Sequence, residues 1–94
     1  MEKSVHSPEY ALLRAELRRA REAGGLSQRQ LAERLEVPHS WVAKVETGER
    51  RIDLVEFCWF VAACGEDSLA AIGRLVPRMH LGRAARRAKG GRSK

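Results

Sequence analysis

The stretch from Leu26 to Gly48 limits this chain more than any other part of it. Within it, two short helical patterns follow each other with almost nothing between them. Ser27 offers the hydroxyl of an N-cap, and Gln30, three residues on, completes a capping box. Leu31, Ala32 and Leu35 give the helix that follows a short apolar face, and the pattern stops near Glu36. Only Glu36 and Val37 then precede Pro38, where a further helix is predicted to begin and to run to Thr47 and Gly48. Two short helices joined by so tight a turn form a helix-turn-helix, whose turn usually holds a glycine. Glu36 takes that place here.

The remaining chain reads as helix as well. Ser7 and Pro8 suit an N-cap and a first helical position, and Leu13, Leu17 and Ala20 recur at helical spacing until Gly24-Gly25. Asp53 and Glu56 form a second capping box, opening a helix that Gly65 closes. Asp67 caps a fifth helix with Leu69, Ile72 and Leu75 as its apolar face, and Pro77 ends it. The expected fold is therefore all-α, a compact bundle of about five helices spanning residues 8–76. Residues 1–7 are expected to be a flexible N-terminus and residues 77–94 a basic, flexible C-terminal tail.

Charge supports that division. The chain holds 18 Lys and Arg against 12 Asp and Glu, a formal net charge of +6. Residues 1–65 carry 10 of each sign, so the whole excess lies in the last third. A basic segment suits an anionic partner such as nucleic acid or a membrane surface. The longest apolar run, Phe57 to Cys64, is far too short to span a bilayer. With no apolar leader segment, a cytoplasmic protein is expected. Cys58 and Cys64 read as two reduced, buried thiols rather than a disulfide framework. No cofactor is expected: there is no glycine-rich phosphate loop, and no pair of His and Cys residues has metal-ligand spacing on one helical face. His6, His39 and His80 lie in separate segments without a nucleophile or carboxylate partner, which argues against an enzyme.

At about 100° per residue, the third helix sorts into two sides. Val42 and Val45 face the core, while His39, Ser40, Ala43, Lys44 and Thr47 share an exposed face, with Trp41 and Glu46 at the flanks. No bulky apolar group blocks that face from a major groove. Lys44 has donors for guanine O6 and N7, Ser40 suits several bases, and Ala43 suits a thymine methyl. His39 donates or accepts according to its tautomer. The plainer alternative is an ordinary solvated face. Around it, Ser27, Gln28, Arg29 and the amides opening the second helix suit a phosphate, as do Arg50 and Arg51 in the following loop.

The residues Leu26-Ser-Gln-Arg-Gln-Leu-Ala-Glu-Arg-Leu35, then Val37, Val42-Ala-Lys-Val-Glu46, Gly48 and Arg50, resemble the helix-turn-helix family of phage repressors and Cro proteins. Bacterial regulators of the xenobiotic-response-element (XRE) type share this pattern. The resemblance runs from about Leu13 to Leu75. It implies a lambda-repressor-like bundle that binds operator DNA as a dimer. It also implies phosphate contacts from Ser27 and Gln28, base reading by His39, Ser40 and Lys44, and a backbone contact from Thr47. Arg21 and Glu46 match a pair that forms a salt bridge in the family. Three positions depart from its pattern. Pro38 stands where a Ser or Thr cap is usual, Glu36 replaces glycine, and the loop after Gly48 lacks a frequent proline.

The fourth helix has two apolar sides. Leu54, Phe57, Val61 and Cys64, with Phe60 beside them, form a core stripe; Val55, Trp59 and Ala62 form a second. A domain this small rarely buries a helix on all sides. The second stripe is therefore expected to meet another protein, most simply a second copy of this chain. The alternative is that the basic tail folds back over Trp59. Together these features predict a sequence-specific DNA-binding regulator, a homodimer on an inverted-repeat operator in a bacterial or phage setting, nucleoid-associated. The alternative is an antitoxin or partner-binding module of the same fold, its apolar fourth-helix face covering a partner such as a toxin. Membrane or ribosome association through the tail is a further reading, without a membrane-spanning segment.

Overall fold

A computed structural model describes residues 7–81. It contains five α-helices: α1 (Pro8–Ala23), α2 (Gln28–Leu35), α3 (His39–Thr47), α4 (Leu54–Ala63) and α5 (Ser68–Leu75). A 3-10 turn, Val76–Arg78, follows α5, and there is no strand among the described residues. The all-α bundle expected from the sequence is borne out. The N-terminal residues before Ser7 and nearly all of the basic tail lie outside the described residues.

Local chemistry accounts for the helix ends. The Ser7, Ser27, Asp53 and Asp67 side chains each accept from the backbone N–H three residues on, at 2.7–3.1 Å. The Gln30 and Glu56 side chains return the bond to the backbone N–H of Ser27 and Asp53, so both capping boxes are closed. Three helices end in the same way. In α1, α2 and α4, a residue in the left-handed region lets its own N–H and that of the residue after it turn back onto the last-turn carbonyls. Gly25 and Gly65 hold that conformation in α1 and α4, but in α2 it falls to Glu36, at φ 58°. The helix-turn-helix turn thus has its glycine geometry without glycine. Pro38 gives α3 no side-chain cap.

The core joins all five helices. Leu17, Leu31, Val42, Val45, Phe60 and Val61 are fully buried, with Ala20, Phe57, Cys64, Ala71 and Leu75 around them. Gly24 serves packing rather than conformation. A Cβ there would stand 2.6 Å from the Cys64 carbonyl oxygen, so only glycine lets the end of α1 meet the end of α4. Burial pushes the Cys64 thiol up to about 11, which makes it a packing group rather than a reactive one.

Two expectations about the core are corrected. Leu54 is 67% exposed and Leu69 75% exposed, although both were expected on core stripes. Each lies in the first turn of its helix, before the axis has carried it over the core. On α5, burial falls instead on Ala71 and Leu75, one turn apart, with Ile72 half-buried at the edge. α5 stops at Leu75, before Pro77, and the chain runs on through the 3-10 turn and packs Met79 against the core.

Glu16 was not anticipated as buried. It lies on the core side of α1 and holds two arginines at once, Arg19 at 2.8 Å and Arg74 at 3.1 Å. Both arginines also reach Glu66, at 2.7 and 2.6 Å. The four charges form a closed ring tying α1, α5 and the loop before α5. Burial works against the charge of Glu16, but hydrogen bonds from Arg19 and Arg74 outweigh it and hold the carboxyl below its ordinary value. Hydrogen bonding to Arg19 lowers Glu66 as well.

Candidate nucleic-acid interface

α3 presents the two sides that its sequence predicts. Val42 and Val45 are buried against α1 and α2, and His39, Ser40, Lys44 and Thr47 are exposed, with Ala43 half-buried between them. No side chain among the described residues pairs with those of His39, Ser40 or Lys44. All three stand on a helix whose other side is fixed by the core.

The flanking residues are less free. Gln28 donates from Nε2 to Glu46 Oε1 at 3.0 Å, so its carboxamide is held rather than swinging into solvent. One of its two amide protons remains available. Thr47 Oγ1 lies within hydrogen-bond distance of the Lys44 carbonyl, which accepts from it at 3.2 Å, and of the Glu49 carboxylate at 3.1 Å. Arg50 is the most constrained. Its Nη1 and Nη2 grip Glu56, both at 3.2 Å, Nη1 also donates to the Arg51 carbonyl at 2.6 Å, and the guanidinium lies 5.0 Å from the Trp41 ring centroid. The hydrogen bond from Arg50 in turn lowers the Glu56 carboxyl below its ordinary value. Arg50 therefore clamps the loop after α3 to the start of α4 and to one flank of α3. Arg29, Arg51 and Ser27 are exposed.

Glu46 sits beneath this face with no exposed side-chain surface. Arg21 reaches it from α1 through two bonds, Nε to Oε2 at 2.6 Å and Nη2 to Oε1 at 3.1 Å, and Arg21 Nη1 donates to the Leu26 carbonyl at 2.9 Å. Hydrogen bonding to Glu46 raises Arg21 above its ordinary value. One carboxylate thereby fixes α1, the entry to α2 and α3 relative to one another. Gln28's place in this cluster could not be read from spacing, because Gln28 and Glu46 belong to different helices.

α4 exposes Val55, Trp59 (62%) and Ala62, together with the displaced Leu54. The Ser68 hydroxyl donates to the Cys58 carbonyl at 3.3 Å, which sets the start of α5, and with it exposed Leu69, against this helix. An apolar groove of about 220 Å³, lined by Leu13, Leu54, Phe57, Ile72 and Val76 among others, continues the same surface. Among the described residues, no group of three His, Cys, Asp or Glu could hold a metal ion. None of the described helices is long and apolar enough to cross a membrane.

Residues 12–88 match the family of helix-turn-helix domains. Among solved structures, an XRE-family like protein from Pseudomonas syringae pv. tomato str. DC3000 is similar at 40% sequence identity. That match covers 77% of this chain and 88% of the other, with a TM-score of 0.71. No curated protein matches the sequence.

Proposed function

This chain belongs to the XRE/Cro-type helix-turn-helix family and is a DNA-binding regulator of that type, and we propose on that basis that it reads an inverted-repeat operator as a homodimer. One observation carries the reading. His39, Ser40 and Lys44 project from α3 without side-chain partners among the described residues, while Gln28 and Arg50 beside them are held in place. α3 enters the major groove, with those three side chains and Ala43 against base edges. Ser27, Gln28, Arg29, Thr47, Arg50 and Arg51 take the phosphates on either side, Gln28 and Arg50 from orientations that Glu46 and Glu56 already fix. The role is regulatory rather than catalytic, in a cytoplasmic, nucleoid-associated setting.

The α4 face joins the two copies, through Val55, Trp59 and Ala62 with Leu54 and Leu69 at its edge. So much apolar surface on one side of a small domain is a contact surface rather than a solvent surface. The same surface suits the second reading, an antitoxin-like module that covers a different protein such as a toxin. A stable heteromeric complex with the homodimer absent would favour that reading. The tail from Arg78 onward adds sequence-independent, salt-sensitive affinity for phosphates.

Selection of binding sites from random duplex DNA tests the proposal. An inverted-repeat consensus supports it, and no enrichment refutes it. Within the selected site, Lys44→Ala should lose discrimination at one position per half-site, about 1–3 kcal/mol for a good base contact. Unchanged affinity and preference would remove Lys44 from the reading face.

A further inference from the structure

We infer that Arg18 is a further phosphate-binding residue, supplied by the first helix and lying outside every position read from the sequence. It rests on the DNA-binding reading above. The inference begins with the charges around Glu46. Two guanidinium groups face this one buried carboxylate. Arg21, 12% exposed, takes both oxygens through two hydrogen bonds, and Gln28 takes a third bond on Oε1. Arg18 stands farther off, its Nε 3.7 Å from Oε1, beyond hydrogen-bond distance, and its side chain is 54% exposed. Arg21 neutralises Glu46, so Arg18 leaves one uncompensated positive charge at the junction of α1, α2 and α3. Its five N–H donors find no hydrogen-bond acceptor among the described residues.

The position of this charge points to its ligand. Arg18 Nε and Gln28 Nε2 approach the same oxygen of Glu46, which puts the guanidinium beside the carboxamide at the opening of α2. That is where Ser27 and Gln28 face a phosphate in the proposed complex. A groove of about 320 Å³ runs along this side of α1, lined by Arg14 and Arg18, with Ala11 and Ala15 contributing only methyl groups. Arg18 has room there to turn toward a phosphodiester and bind it through two parallel N–H donors. Glu22, one turn on, shares the groove and is exposed, as Arg18 is. The described residues hold equal numbers of acidic and basic side chains. Attraction for a phosphate must therefore come from local imbalance, and this corner has one.

The test uses the full chain and the duplex recovered by site selection, with affinity measured by fluorescence anisotropy across a salt series. Arg18→Gln should weaken binding evenly across sequences and reduce the log–log salt slope by about 1. Arg18→Lys should restore the slope, and the preferred sequence should not change. Because Arg18 makes no hydrogen bond among the described residues, Arg18→Gln should also melt at the wild-type temperature. An unchanged salt slope, or a slope that falls only together with the melting temperature, overturns the inference. Wild-type protein that selects no duplex instead overturns the DNA-binding reading on which it rests.

Discussion

Replacing Glu46 by glutamine keeps the shape of the side chain and removes its charge. The carboxylate is fully buried and accepts three hydrogen bonds, at 2.6, 3.1 and 3.0 Å, from Arg21 and Gln28. A carboxamide has one acceptor oxygen and an NH2 group. If the oxygen takes Arg21 Nε, the NH2 group points at the donors of Arg21 Nη2 and Gln28 Nε2. Arg21 then stays nearly buried, keeps its bond to the Leu26 carbonyl and loses its counter-ion, with Arg18 close by. Breaking one side of such a pair costs about 3–5 kcal/mol. A domain of this length has roughly 5–14 kcal/mol in total, so Glu46→Gln should be near the limit of folding. At 4–8 °C per kcal/mol for a small domain, a loss of about 4 kcal/mol lowers Tm by roughly 16–32 °C. Urea and thermal melts followed by circular dichroism measure this, with an unchanged urea slope showing that the transition remains two-state. The double variant Arg21→Met with Glu46→Leu should recover most of the loss, since apolar replacement of a buried pair is often neutral or better. A single variant within about 1 kcal/mol of wild type would refute the view that this pair holds the three helices, because a lost buried partner costs more than that.

The ring around Glu16 gives the protein a sensitivity to acid. Glu16 and Glu66 both titrate below their ordinary value of 4.5 when folded. Their contribution is therefore complete above that value and is lost as pH falls through the folded value. Stability should decline below about pH 4.5, and Glu16→Gln should flatten that decline in denaturant melts taken at a series of pH values. Glu36→Gly should stabilise the turn before α3 by about 1 kcal/mol, since a left-handed non-glycine residue costs ~1–2 kcal/mol; a lower urea midpoint would contradict this. The two glycines ending α1 should respond for different reasons. Gly24→Ala drives a methyl into the Cys64 carbonyl at 2.6 Å and should cost about 1–3 kcal/mol as overpacking, whereas Gly25→Ala meets open space and strains only the backbone. Trp59→Glu should give a monomer in sedimentation with its helical spectrum intact; a dimer that persists would move the interface elsewhere.

Much of this molecule is legible along the chain because its signals are local. The Ser27–Gln30 and Asp53–Glu56 capping boxes act across three residues, and the turn at Glu36 follows from where two helices stop and start. The two sides of α3 follow from helical rotation alone, which is why His39, Ser40 and Lys44 are found on one face before any neighbour is known. The resemblance adds the pairing of Arg21 with Glu46, whose partners lie far apart in sequence. Other assignments depend on how helices sit against one another. Leu54 and Leu69 fit apolar stripes but lie ahead of the core, and periodicity carries no information about where a stripe begins to be covered.

The sequence by itself determined the helices, their ends, the exposed polar face of α3 and the location of the excess charge in the last third of the chain, since each of these is read along the chain without reference to distant neighbours. The tertiary structure decided which polar groups are already committed. It joined Glu16 to Arg74 across 58 residues and Gln28 to Glu46 across 18, and it drew Arg50 onto Glu56 and Trp41. It also left Arg18 as the second cation on a carboxylate that needs only one. A hydrogen bond depends on distances of a few tenths of an ångström between helices, and no pattern along a single helix specifies those distances.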